Sequence, residues 1–97
     1  MEWEPVKPRK KADYEALGSA FMRVPRMKTE VARSLLDAGY QKPYELQGLS
    51  AETLWQEILA RRPETPAHQL PYLRMLIYYA ETESPEPRKL HPSAWNF

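Results

Sequence analysis

The stretch Arg23-Val24-Pro25-Arg26-Met27-Lys28-Thr29-Glu30-Val31-Ala32-Arg33-Ser34-Leu35-Leu36-Asp37-Ala38-Gly39-Tyr40 sets the register of the chain on both sides of it. Pro25 forbids continuation of any helix that enters from the N-terminal side. From Thr29 onward, Val31, Ala32, Leu35 and Leu36 recur at helical spacing, and Gly39 supplies a left-handed C-terminal stop. The expected layout is a helix, a tight turn closed by the apolar pair Val24 and Met27, and a second helix running from about 29 to 38.

Upstream, Asp13 is a good N-cap, and Tyr14, Leu17, Phe21 and Met22 form an apolar series after it, which places the first helix over about 14 to 22. Downstream, Lys42-Pro43 opens a short helix in which Tyr44 and Leu46 are expected to face inward before Gly48 ends it. Ser50 caps a further helix with the face Leu54, Trp55, Ile58 and Leu59, which Pro63 terminates. A last helix carries Leu70, Leu73, Leu76, Ile77 and Ala80. Its Pro71 falls either in the first turn of a helix starting near Leu70 or inside a longer one beginning at Thr65-Pro66, and a kink or restart is the preferred reading. Tyr78 lies off this stripe, which predicts an exposed ring or a contact surface. No segment alternates as a strand does, so the fold class is all-α with about five helices.

Sliding the chain on itself by 22 residues sets Val24-Pro25-Arg26-Met27-Lys28-Thr29-Glu30 over Leu46-Gln47-Gly48-Leu49-Ser50-Ala51-Glu52. The apolar frame and the glutamate coincide, and each copy has a helix before and after it. The pattern reads as two helix-hairpin-helix units packed into one core. Three regions follow: an extended arm over 1–12 bearing Trp3, the domain over 13–83, and a Pro-rich tail over 84–97 anchored by Leu90, Trp95 and Phe97.

With 97 residues and 42% hydrophobic content the chain fits one small domain. There is no cysteine, which excludes disulfides, thiolate metal sites and cysteine nucleophiles. The N-terminal basic residues lack an apolar segment, so no secretory signal is read there, no run reaches the length of a membrane span, and a cytoplasmic location is expected. His68 and His91 have no carboxylate at ligand spacing, and no nucleophile elbow or phosphate-cradling glycine loop is present. The expectation is a non-enzymatic protein without metal, cofactor or small-molecule substrate. Net charge is +1, but residues 1–33 hold eight Lys/Arg against five acids while the remainder holds six against eight. The basic bias is thus N-terminal and centred on the first hairpin.

Pro25, Ala32, the Leu35-Leu36 pair and the Ala38-Gly39 ending follow the helix-hairpin-helix pattern. Together with Tyr44-Glu45-Leu46, Leu54-Trp55, Arg74-Met75-Leu76-Ile77-Tyr78-Tyr79-Ala80 and Pro85-Glu86-Pro87, they make the chain resemble a small bacterial helix-hairpin-helix family catalogued as "pathogenicity locus", or mitomycin-resistance-like, proteins. The resemblance covers about residues 14 to 97. It implies a SAM-domain-like helix-hairpin-helix pair and a link to nucleic acid.

In such hairpins two glycines let the backbone approach a phosphate, which the next helix N-terminus then faces. Here those positions hold Arg26 and Lys28, and the second hairpin keeps Gly48 with Ser50 at the other place. A positive backbone angle at the first hairpin then falls on a cationic residue, and phosphate contact passes to side chains. The first reading is weak, sequence-independent binding of the DNA backbone by Arg23, Arg26, Lys28, Thr29, Arg33, Gly48 and Ser50. The alternative is an adaptor for a protein partner, with the hairpin as architecture.

Overall fold

The computed structural model describes residues 13–96; the arm with Trp3, and Phe97, lie outside the described residues. Among the described residues there are four α-helices, α1 (Tyr14–Leu17), α2 (Thr29–Asp37), α3 (Ala51–Arg61) and α4 (Leu70–Glu81), joined by short 3₁₀ turns, and no strand. The all-α expectation holds.

The expected first helix divides in two. Asp13 caps α1 by accepting from the Ala16 N–H at 3.1 Å, but the Ser19 hydroxyl takes the Ala16 carbonyl at 2.7 Å and Ser19 turns extended, so the chain restarts as a 3₁₀ turn over Ala20–Arg23. The Ser19 N–H shares that carbonyl at 3.1 Å, so the helix closes in an i→i+3 bond reinforced by a short polar side chain. The break rotates the two halves apart. Phe21 is buried, while Tyr14 and Leu17 remain 80% and 46% exposed.

α2 matches its expected limits and ends in a Schellman motif, with Tyr40 N–H donating to the Leu35 carbonyl at 3.0 Å, Gly39 N–H to Leu36 at 3.0 Å, and Gly39 at φ +100°. The short Pro43–Leu46 element is 3₁₀, in which successive residues are about 120° apart, so Tyr44 and Leu46 cannot both face inward. Leu46 is buried, and Tyr44 is 61% exposed. Glu45 fixes the entry to this turn by accepting from the Gln41 and Lys42 N–H groups, which hold its carboxyl below the usual range. Ser50 caps α3 by accepting from Thr53 N–H at 3.0 Å.

No kink occurs at Pro71. It sits in the first turn of α4, after a 3₁₀ turn over Ala67–Gln69, where its missing N–H has no helical partner to lose. The core gathers Ala16 from α1, Phe21 and Val24 from the turn that follows, Val31 and Leu35 from α2, Leu46 from the Pro43–Leu46 turn, Leu54 and Ile58 from α3, and Leu73, Met75 and Leu76 from α4. A buried polar pair crosses it, the Ser34 hydroxyl lying 2.7 Å from Gln69 Oε1.

The tail folds back over α4. Tyr78 is half-buried by the chain's own tail: its ring lies 5.4 Å from that of Trp95, and its hydroxyl accepts from Glu86 N–H at 2.8 Å. Trp95 Nε1–H donates to the Lys89 carbonyl at 2.8 Å, Arg74 donates to the Trp95 carbonyl at 2.8 Å, and Leu90 is buried.

Candidate nucleic-acid interface

The 22-residue spacing has a direct geometric counterpart. Met27 N–H donates to the Val24 carbonyl at 3.3 Å, and Leu49 N–H to the Leu46 carbonyl at 3.2 Å. Arg26 has φ +63° and Gly48, 22 positions later, has φ +83°. The third residue of a type II turn needs such an angle, and Pro25 occupies the second position of the first turn as that turn type favours. Lys28 and Ser50 then hold the N-cap positions of α2 and α3.

The two turns differ in what surrounds them. At the second, Gly48 N–H donates to Glu81 Oε2 at 2.7 Å and Gln47 Nε2 to the Ala80 carbonyl at 2.7 Å, while the Ser50 hydroxyl is committed to Thr53. A carboxylate of the chain itself thus occupies the backbone donor that Gly48 offers. At the first, no side chain caps α2. Arg23, Arg26 and Lys28 are exposed and make no ion pair among the described residues. Arg26 Nη1 lies 3.5 Å from the Leu90 carbonyl, a long and weak contact. Lys28 is extended at φ −104°, so the positive angle falls on Arg26 alone.

Arg33, expected on the phosphate-facing end, is engaged elsewhere. Its Nε donates to Asp13 Oδ2 at 2.8 Å, Nη2 to Asp13 Oδ1 at 3.0 Å and to Glu15 at 2.7 Å, and Nη1 to Asp37 Oδ1 at 2.9 Å. Asp37 also meets Arg62 at 3.4 Å. Arg33 therefore clasps α1 to α2. The hydrogen bond from Arg33, with the helix-capping one from Ala16 N–H, lowers the Asp13 carboxyl to about 2. Its folded pKa lies below the unfolded value, so the clasp contributes stability above about pH 4 and loses it as the pH falls toward 2. In thermal melts across that window, Asp13→Asn, which keeps the cap but not the charge, is expected to flatten the acid-side fall in Tm. A slope unchanged from that of the parent chain would show that other carboxylates carry it.

Of the seven residues the sequence nominates, Arg26 and Lys28 are brought together in one groove. Met27, Tyr72, His91 and Pro92 complete its lining, and its volume is about 330 Å³. Thr29, half-buried, begins α2 beside it, and Arg23 ends the preceding 3₁₀ turn. Tyr72, His91 and Pro92 are absent from the sequence-based set, as is Glu81 with its hold on Gly48. Local periodicity carries no signal for them, because each comes from a segment 30 or more residues away from the turn it joins. Comparison with known protein families, curated proteins and solved structures returns no match to this chain.

Proposed function

We propose that the chain is a non-enzymatic helix-hairpin-helix pair that holds the phosphate backbone of nucleic acid weakly and without sequence preference. The first hairpin does the holding, through the side chains of Arg26 and Lys28 with Arg23 nearby. The second is architecture, its backbone donor already used by Glu81.

The supporting observation is Arg26 itself. An arginine in the left-handed region, at φ +63°, sits where the matching turn has Gly48. That conformation disfavours a side chain by about 1–2 kcal/mol, so a glycine would serve the turn better. Retaining a cation there is understandable if the cation is used. Its neighbour Lys28 and the uncapped N-terminus of α2 place further positive potential at the same end.

Fluorescence anisotropy with random-sequence DNA at low salt tests the reading. Affinity in the micromolar range or weaker is expected, with a log-log salt slope of about −2 for the two or three phosphates engaged. Arg26→Glu with Lys28→Glu should abolish it. No binding at low salt, or binding indifferent to the double reversal, would favour the adaptor reading, for which the exposed Tyr14 and Leu17 offer a protein-contact face.

A further inference from the structure

The groove beside Arg26 and Lys28 is not only cationic. Tyr72 and Pro92 line it, and they also line a second open groove of about 250 Å³ with His68, Pro71, Ser93 and Asn96. Tyr72 and Pro92 are the residues the two grooves share. Among the described residues neither is lined by a carboxylate, and the nearby Glu30 is held by His68 Nε2 at 2.8 Å. Tyr72 is half-buried, whereas Arg26, Lys28 and His91 at the rim are exposed. The His91 ring is positioned through Nδ1, which accepts from Ser93 N–H at 3.2 Å and lies 2.8 Å from its hydroxyl.

Resting on the phosphate-binding reading of this hairpin, we infer that its ligand is single-stranded nucleic acid, one base of which enters the groove against Tyr72 while Arg26 and Lys28 hold the adjoining phosphates. A duplex offers its base faces to neighbouring pairs and has none to give a half-buried ring in a groove. An unpaired strand offers them freely, and stacking on an aromatic side chain accepts any base. Exposed cations, an aromatic residue in the same lining and no acid in it among the described residues match what an unpaired strand presents, alternating charge and flat apolar surface. The tail supplies His91 and Pro92, so the groove exists only when residues 90–92 lie against the hairpin.

Binding of a labelled oligothymidylate of about 12 nucleotides is compared with that of a duplex of the same length at low salt, using the full chain. The strand is expected to bind about tenfold more tightly. Tyr72→Leu should remove that difference, and Tyr72→Phe should retain it. Equal affinity for strand and duplex, or a preference that survives Tyr72→Leu, overturns the inference and leaves phosphate binding standing; absence of binding to either overturns both. If Tyr72→Leu proves unfolded by circular dichroism, the parent chain decides by NMR. Tyr72 ring resonances should shift on titration with the strand, and hairpin amides that move while the Tyr72 ring does not would overturn the assignment.

Discussion

Leu46→Ala is expected to lower the unfolding free energy by about 3 kcal/mol, because it empties a buried site that the surrounding elements cannot close. Leu46 is fully buried and is the only buried residue of its 3₁₀ turn, and that turn packs against α4. Its carbonyl receives Leu49 N–H at 3.2 Å, and the next two residues bond the end of α4 through Gln47 to Ala80 and Gly48 to Glu81. The side chain is thus the apolar peg of a turn whose polar groups are aligned around it. Domains of this size have about 5–15 kcal/mol in total, so the loss is a large share, and the melting temperature should fall by more than about 10 °C. Tyr44→Ala, two residues earlier, is the control: with Tyr44 61% exposed, a change within about 0.5 kcal/mol is expected. Similar losses from the two variants in thermal melts would mean that the turn buries both side chains.

Leu46 and Tyr44 also mark where sequence reading succeeds and where it stops. The apolar spacing places an element there, and Pro43 and Gly48 mark its limits, but residues two apart fall on different faces of either kind of helix, and packing against α4 decides which of them goes inside. The caps Asp13 and Ser50, the Gly39 stop and the end at Pro63 were legible because each acts on backbone within four residues of itself. The break after Leu17 was not, since it depends on Ser19 closing on the Ala16 carbonyl with both its hydroxyl and its N–H. Pro71 fits a first turn as readily as a kink, and the 3₁₀ turn before it decides between them. Charge position misled most at Arg33. Helical register puts it on α2 close to the hairpin cations, but its three carboxylates come from Asp13, Glu15 and Asp37, two of them about 20 residues upstream. The internal repeat shows in the structure as two turns 22 residues apart with positive φ at Arg26 and Gly48, whereas the expectation of such an angle on a cationic residue comes from the helix-hairpin-helix resemblance and not from the seven-residue alignment.

That positive φ permits a test in which stability and binding should move in opposite directions. Arg26→Gly removes a strained left-handed side chain, a relief of about 1–2 kcal/mol, against which stands the greater freedom of glycine in the unfolded chain, about 0.5–1 kcal/mol. Among the described residues the hydrogen bond lost with the side chain is the weak 3.5 Å contact to Leu90. The net gain expected is about 0.5–1 kcal/mol, or several degrees in melting temperature. On the proposed function the same change removes one phosphate contact, so affinity for nucleic acid should fall and the salt slope should become shallower by about 1. Lys28→Gly isolates the two effects, because Lys28 already has an ordinary extended angle, φ −104°. It has no strain to relieve, and glycine there should destabilise while weakening binding to a similar degree. Two cations two residues apart would then agree in their effect on the ligand and disagree in their effect on the fold, a pattern that general unfolding cannot produce. If Arg26→Gly stabilises the chain and leaves binding untouched, the strained arginine serves no ligand, and its long contact to Leu90 becomes the remaining reason for it. If instead it destabilises, the left-handed angle at position 26 is not the source of strain that its geometry implies.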